Sequence, residues 1–266
     1  MSLTYSSYLK LDELLSLQEP ISEGKAHDEM LFIIVHQTYE LWFKEVLHEL
    51  DFLQTLMEKC ELPKAQLSLK RSIAILKVFI AHMDVLETML PLHFLSFRDH
   101  LGTASGFQSA QFRELEFIMG FKRREVIRAL PEGAAARDRV ERRYRSPTLW
   151  DAFLRCLARS GYDIPQAALD RDVTQPVAPS SEVQKVLLRL YSGEDALAYF
   201  CELLLDFDEG FQEWRYRHVK MVERMIGGRS GTGGSAGAEY LRGTLFKPSF
   251  PDLWAIRTEF KHDDRT

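Results

Sequence analysis

Apolar residues recur at helical spacing along most of the chain. Between about His27 and Cys60, Leu31, Ile34, Val35, Leu41, Trp42, Val46, Leu50, Leu53 and Leu56 follow a helical period, which predicts one long helix. Asp28 and Glu29 stand in its first turn, where acids complement the helix dipole. Glu61-Leu62-Pro63 breaks the pattern, and a second helix runs to Leu90 through Leu69, Ile73, Leu76, Ile80, Met83 and Leu86. Pro91 marks its end or a kink. After Phe94 to Arg98 and a Gly102–Gly106 turn, a further helix passes through Phe112, Leu115 and Met119.

The pattern then changes. An Arg-rich stretch with shorter periodic segments follows Phe121, and Pro165 to Pro179 reads as a proline-rich loop. Residues from about 121 to 180 are expected to be a small helical insertion on the surface of a single domain spanning 1–266. Long helices resume over Ser181–Leu190, with Ser181 the expected cap, and from about Asp195 to Ile226. A glycine-rich run, Gly231 to Gly237, opens the last segment. No alternating strand pattern appears, so the expected fold is an all-α bundle of long helices.

Composition narrows the function classes. With 45% apolar and 27% charged residues among 266, the chain can bury a core. A net charge of −5 offers no electrostatic reason to expect nucleic acid. A spanning helix needs about 20 apolar residues. The longest runs here, such as Leu31–Val35, are far shorter, so no membrane partner is expected. The N-terminus lacks a basic segment followed by an apolar stretch, and Cys60, Cys156 and Cys201 form no metal or disulfide pattern; a reduced, cytoplasmic protein is expected.

Several motifs fail on spacing. His48-Glu49 begins a zincin pattern, but Phe52 stands where the second His must be. Glu45-Val46-Leu47-His48 is a single Glu-x-x-His, and a di-iron bundle needs two. The glycine run superficially fits G-x-G-x-x-A, yet a helix rather than a strand precedes it. It reads either as a plain linker or as a mobile loop closing over a polar ligand group through its amides and Thr232.

Three side chains stand out. His36 shares a helical face with Phe32 and with Tyr39 or Glu40. A satisfied core histidine is the ordinary explanation, and a ligand-facing one the alternative. His218 lies in Trp214-Arg215-Tyr216-Arg217-His218, just before the glycine run. It is a surface histidine amid arginines or a metal ligand. Arg98 follows Phe94 and Phe97; it is a surface arginine or a carboxylate clamp beside aromatic rings. The other histidines, His27, His48, His82, His93, His100 and His262, read as structural or solvated.

Taken together, these segments resemble the tryptophan 2,3-dioxygenase family. Five segments match in order: Tyr5-Ser6-Ser7-Tyr8-Leu9; His27-Asp28-Glu29 with Phe32 to Lys44; Phe97-Arg98 with Ala104 to Ser109; Trp214 to His218; and Gly231 to Ser235. Residues 121–180 carry no family motif. The resemblance implies a helical bundle enclosing a haem pocket, haem b as cofactor, and L-tryptophan and O2 as substrates. It also implies cleavage of the indole C2–C3 bond to N-formylkynurenine, in a cytoplasmic homotetramer of tryptophan catabolism. By the same resemblance, His218 is the proximal iron ligand and Gly106 borders the haem. His36 is the distal residue that accepts the indole N–H. Phe32 and Leu101 line the indole slot, Arg98 binds the substrate carboxylate, Thr232 contacts its ammonium or carboxylate, and Ser105 lies on the oxygen side. Tyr5, Tyr8 and Leu9 are expected to complete a neighbouring subunit's pocket. Phe94 stands where some members have a tyrosine. The wider superfamily includes monooxygenases acting on tryptophan or methylated tryptophans, so insertion of one oxygen atom is the alternative reaction, and a non-catalytic haem sensor a third.

Overall fold

The computed structural model describes residues 2–22, 26–193, 196–233 and 237–260. Gly234, Ser235 and Ala236 of the glycine run, Asp195 and His262 lie outside the described residues. In chain order the α-helices are α1 (Tyr5–Leu9), α2 (Leu11–Leu15), α3 (Asp28–Glu58), α4 (Leu62–Leu86), α5 (Pro91–Arg98), α6 (Ala110–Ile118), α7 (Ala135–Tyr144), α8 (Leu149–Arg159), α9 (Gln166–Leu169), α10 (Ser181–Tyr191), α11 (Ala196–Ile226), α12 (Ala238–Arg242) and α13 (Pro251–Ala255). No strand occurs among the described residues, as the absence of alternating patterns predicts.

Three long helices form the frame: α4 packs against both α3 and α11. Their apolar stripes interlock through large rings, with Phe79 edge-on to Phe43 at 5.2 Å and 5.7 Å from Trp214. The break between α3 and α4 is a helix stop with a left-handed residue. Cys60 adopts φ 55°, the Glu61 amide donates to the Leu56 carbonyl at 2.9 Å, and the Cys60 amide donates to Met57 at 3.0 Å. Pro63 then sits in the first turn of α4, where its missing N–H costs no hydrogen bond.

Three expectations change in detail. The second helix ends at Leu86, and Pro91 opens α5 rather than closing α4, because proline is also suited to a first helical turn. The cap of α10 is Ser180, whose hydroxyl accepts from the Val183 amide, so Ser181 is the first helical residue. The segment after Phe121 is not confined to the surface. In α8, Trp150, Phe153, Leu154 and Leu157 are buried in the main core, and α8 packs along α3. The Arg-rich α7 masks this in composition. Its one buried residue is Val140, whereas α8 begins with a capping box, Thr148 and Asp151, and carries a full apolar face.

Candidate functional site

A cavity of about 670 Å³ opens between α3, α5, α6 and α11, beneath the segment that joins α11 to α12. Its size suits a cofactor or small-molecule site. His36 and His218 enter it from different helices, and each does so because of helical register. On α11 the buried stripe runs Phe207, Phe211, Trp214, Met221 and Met225, and His218 occupies the position between Trp214 and Met221 on that stripe. On α3, Phe32, His36, Tyr39, Glu40 and Phe43 all line the cavity, so the helical face grouped from the sequence is the face that meets it.

The hydrogen bond of His36 sets its chemistry. Its Nδ1 lies 2.7 Å from the Phe32 carbonyl oxygen, a group that can only accept. Nδ1 is therefore the protonated nitrogen, and Nε2 is an acceptor. The accessible surface of His36 opens on the cavity, and burial there lowers its pKa against the opposite pull of the Phe32 carbonyl and Glu40. The ring packs on Phe32, with centroids 4.0 Å apart, and Phe32 contacts Phe94 at 5.8 Å and Phe97 at 5.5 Å. Phe32, Phe94 and Leu101 thus form an apolar slot beside the imidazole.

His218 stacks on Trp214, with ring planes 15° apart and centroids 5.9 Å apart. Burial, reinforced by His36, Arg215 and Arg113, pushes its pKa down to about 4. It is a neutral imidazole at pH 7 and a competent metal ligand. Among the described residues no group of three or more His, Cys, Asp or Glu side chains is placed to hold a metal ion.

Arg98 ends α5 and donates from Nη2 to the Ser230 carbonyl at 2.7 Å. The Thr232 hydroxyl donates to the Ala104 carbonyl at 2.5 Å. These two bonds draw the start of the glycine run over the Leu101–Gly106 turn. Gly233 has to be glycine there: a Cβ would stand 2.7 Å from Ser105 Cβ and 3.0 Å from its Oγ. Ser105 also accepts from the Phe107 amide at 3.3 Å, which starts the turn leading to α6. At Gly106 a Cβ would meet nothing within 4 Å, so this residue borders open cavity space.

Phe32, His36, Arg98, Leu101, Ser105, Gly106, His218 and Thr232 therefore surround one cavity. Tyr5, Tyr8 and Leu9 do not. Helix α1 buries no residue, and Tyr5 and Tyr8 are 75% and 70% exposed. Leu14 and Leu17 line the cavity instead. The sequence also did not reveal a buried charge cluster in the wall. Glu116 accepts from Arg113, from Arg123 at 2.6 Å and from Arg215 at 2.5 Å. Burial alone would raise the Glu116 carboxyl, but Arg113, Arg215 and Arg123 outweigh it and hold it below the usual range. The i, i+3 pair Arg113–Glu116 was a readable signal; that Arg215 turns inward while Arg217 turns out to Asp84 and Glu87 was not.

Comparison with known proteins points to one family. The family model for tryptophan 2,3-dioxygenase matches residues 1–132 and 184–260. The unmatched interval, residues 133–183, runs from just before α7 to the first turn of α10. A tryptophan 2,3-dioxygenase of Herpetosiphon aurantiacus is 54% identical over 261 residues, covering 97% of this chain and 98% of that protein. One from Anaeromyxobacter sp. (strain K) is 52% identical over 260 residues, with 96% of each chain covered. One from Caulobacter vibrioides is 44% identical over 260 residues, covering 97% and 98%.

Proposed function

The chain belongs to the tryptophan 2,3-dioxygenase family, and from that premise we propose that it oxidises L-tryptophan with O2 and haem b, opening the indole C2–C3 bond to give N-formylkynurenine. The observation that carries this reading is the Nδ1-to-Phe32 bond, which presents Nε2 of His36 as an acceptor beside an aromatic slot. An indole has one N–H, and it is a donor.

The residues present fit a haem. The cavity offers a neutral axial imidazole, His218, and no surrounding set of protein ligands among the described residues, so an iron bound there would draw its other ligands from a macrocycle. Gly106 leaves room for a flat group at the wall. When bound, haem supplies the iron and electrons that let ground-state O2 react with a closed-shell indole.

The protein's own contribution is binding and orientation. Arg98 would exchange the Ser230 carbonyl for the substrate carboxylate, a charge-assisted and bidentate partner. Thr232 has lone pairs for the ammonium group, and its bond to Ala104 supports a closed loop. Phe32, Phe94 and Leu101 would hold the indole face. His36 would fix the ring by accepting its N–H; indole is a very weak acid, so the proton stays on the indole nitrogen. The closed loop would exclude water from the reacting carbons. Both oxygen atoms enter the product, and no external reductant is consumed.

The exposed tyrosines of α1 support a second part of the reading: Tyr5, Tyr8 and Leu9 complete the cavity of a neighbouring subunit in a homotetramer. Free thiols at Cys60 and Cys156 support a reducing, cytoplasmic location. No helix among the described residues is long and apolar enough to cross a membrane.

The test is a turnover with labelled O2. The protein, loaded with haem and reduced, is given L-tryptophan. Two labelled atoms in N-formylkynurenine are expected. One labelled atom in an oxindole-type product would transfer the assignment to the monooxygenase alternative. Haem binding without any product would favour the sensor.

A further inference from the structure

The stop between α3 and α4 brings together two thiols that the sequence keeps apart. Cys60 follows the last turn of α3, and Cys156 lies within α8, 96 residues further on. The Cys60 thiol donates to the Cys156 carbonyl at 3.8 Å, and the two thiols also hydrogen-bond to each other. Regular helix packing does not require this contact. Cys60 adopts φ 55°, a left-handed position that ordinarily takes glycine at a helix stop, and a side chain is strained there. Such a conformation persists only where its surroundings hold it. A glycine would end α3 without that strain, but it would carry no thiol to Cys156.

The two sulfurs differ in access. Cys156 is fully buried, whereas Cys60 is half-buried and can be reached by a small molecule. Burial, and then the Cys60 thiol beside it, push the Cys156 thiol up to about 12; Ser160 and Arg159 pull the other way and do not reverse this. Cys156 is therefore a protonated thiol at neutral pH, and Cys60 is the sulfur open to reaction. Arg159 also holds the two elements in place, since its guanidinium donates to the Glu58 carbonyl at the end of α3. Packing as a small apolar residue accounts for Cys156 in the core. It does not account for a cysteine in the left-handed position at residue 60.

We propose that Cys60 and Cys156 are an oxidisable dithiol, a modification site that reacts with small-molecule disulfides of the glutathione class and closes into a Cys60–Cys156 disulfide. The Cys60 sulfur, having given up its proton, attacks one sulfur of oxidised glutathione. A mixed disulfide forms, and one glutathione leaves as a thiolate that takes up that proton. The Cys156 sulfur then attacks the Cys60 sulfur, and its proton passes to the second glutathione as it leaves. Two cysteine thiols are oxidised to one disulfide, and one glutathione disulfide is reduced to two thiols. The pair stays reduced in a reducing compartment and closes when the thiol pool turns oxidising. The bond staples the α3–α4 stop to α8 across 96 residues, a long loop whose closure stabilises the fold. Neither sulfur lines the cavity, so this inference is independent of the proposed reaction.

The experiment holds the haem-loaded enzyme, folded, in buffers of increasing ratio of oxidised to reduced glutathione. Remaining thiols are then blocked in denaturant, and the intact mass and the disulfide-linked peptides are measured. In oxidising buffer the chain is expected to lose two hydrogen atoms, with the Cys60 and Cys156 peptides joined and Cys201, buried on α11, still a thiol. The oxidised enzyme is expected to melt at a higher temperature, and dithiothreitol to reverse both changes. Cys156→Ser should stop at the mixed disulfide and carry one glutathione on Cys60. Cys60→Ser should take up no glutathione at the buried Cys156. A glutathione adduct that persists on Cys60 of the unaltered enzyme, with no internal disulfide, would overturn the proposal. So would two thiols that stay reduced at every ratio, or a bond from either of them to Cys201. The measurement on the unaltered enzyme needs no variant, so it stands if Cys156→Ser, a polar change in the core, does not fold. None of these outcomes bears on the haem reading.

Discussion

The guanidinium of Arg98 donates to the carbonyl oxygen of Ser230 across 132 residues of sequence, at 2.7 Å. One side chain thus belongs both to the carboxylate site and to the latch of the glycine run. A substrate carboxylate competes with that carbonyl for the same N–H groups, so binding and loop position are coupled through Arg98.

This coupling predicts a selective defect. Arg98→Ala is expected to lower kcat/KM for L-tryptophan by roughly ten- to hundredfold, the range for losing a charge-assisted bond. Tryptamine, which lacks the carboxylate, should lose far less. Steady-state kinetics on both substrates checks this, and equal losses on the two would remove Arg98 from carboxylate recognition.

Gly233 and Ser105 form the second contact of the closed loop. Gly233→Ala places a Cβ 2.7 Å from Ser105 Cβ, so the loop has to lift. The expected result is a raised KM with the melting temperature nearly unchanged, because the contact lies at the surface. Ser105→Gly in the same protein removes the obstructing Cβ and should restore part of the affinity. A Gly233→Ala protein with unaltered KM would show that closure does not use this contact.

The two cavity histidines predict acid sensitivity of a definite sign. His36 and His218 both have lowered pKa values in the folded state, His218 about 4. The unfolded chain therefore binds their protons more readily, and stability falls as pH drops below the ordinary histidine value of about 6.5. For His218 the loss is complete only below pH 4 and amounts to about 3 kcal/mol. Melting of the haem-free protein between pH 7 and 4 measures this, and His218→Gln should flatten the slope. Turnover should hold constant from neutral pH to below the ordinary histidine value, then fall as His36 protonates and loses its acceptor. An acidic limb centred above that value would exclude neutral His36 as the group responsible.

Helix α1 predicts a separation of folding from activity. It buries none of its residues, so removing residues 1–9 should change the melting temperature of the isolated subunit little. If Tyr5, Tyr8 and Leu9 serve a neighbour, activity should drop at least tenfold. Mixing the truncated chain with a full-length His36→Ala chain should then return some activity, since an intact segment can reach an intact cavity. Mixed oligomers with no recovery would place the segment's action within its own subunit.

Sequence alone determined the all-α class and the long helices α3, α4 and α11. The apolar period of α3 set Phe32 and His36 on one face with Tyr39 or Glu40, because a helix converts spacing into direction, whereas spacing on α11 left His218 either a surface histidine or a ligand and only the structure turned it into the cavity. The motif around Arg98 and the run from Gly231 were equally legible, being local. What helices do to one another was not. Only the tertiary structure brought Arg123 and Arg215 onto Glu116, turned Arg215 inward and Arg217 outward, and set α8 into the core beside an Arg-rich neighbour. It likewise bonded Arg98 to Ser230 and left Tyr5 and Tyr8 without a home in their own chain. These outcomes depend on contacts between residues far apart in sequence, where charge, burial and partner are settled by packing and no periodicity carries the information.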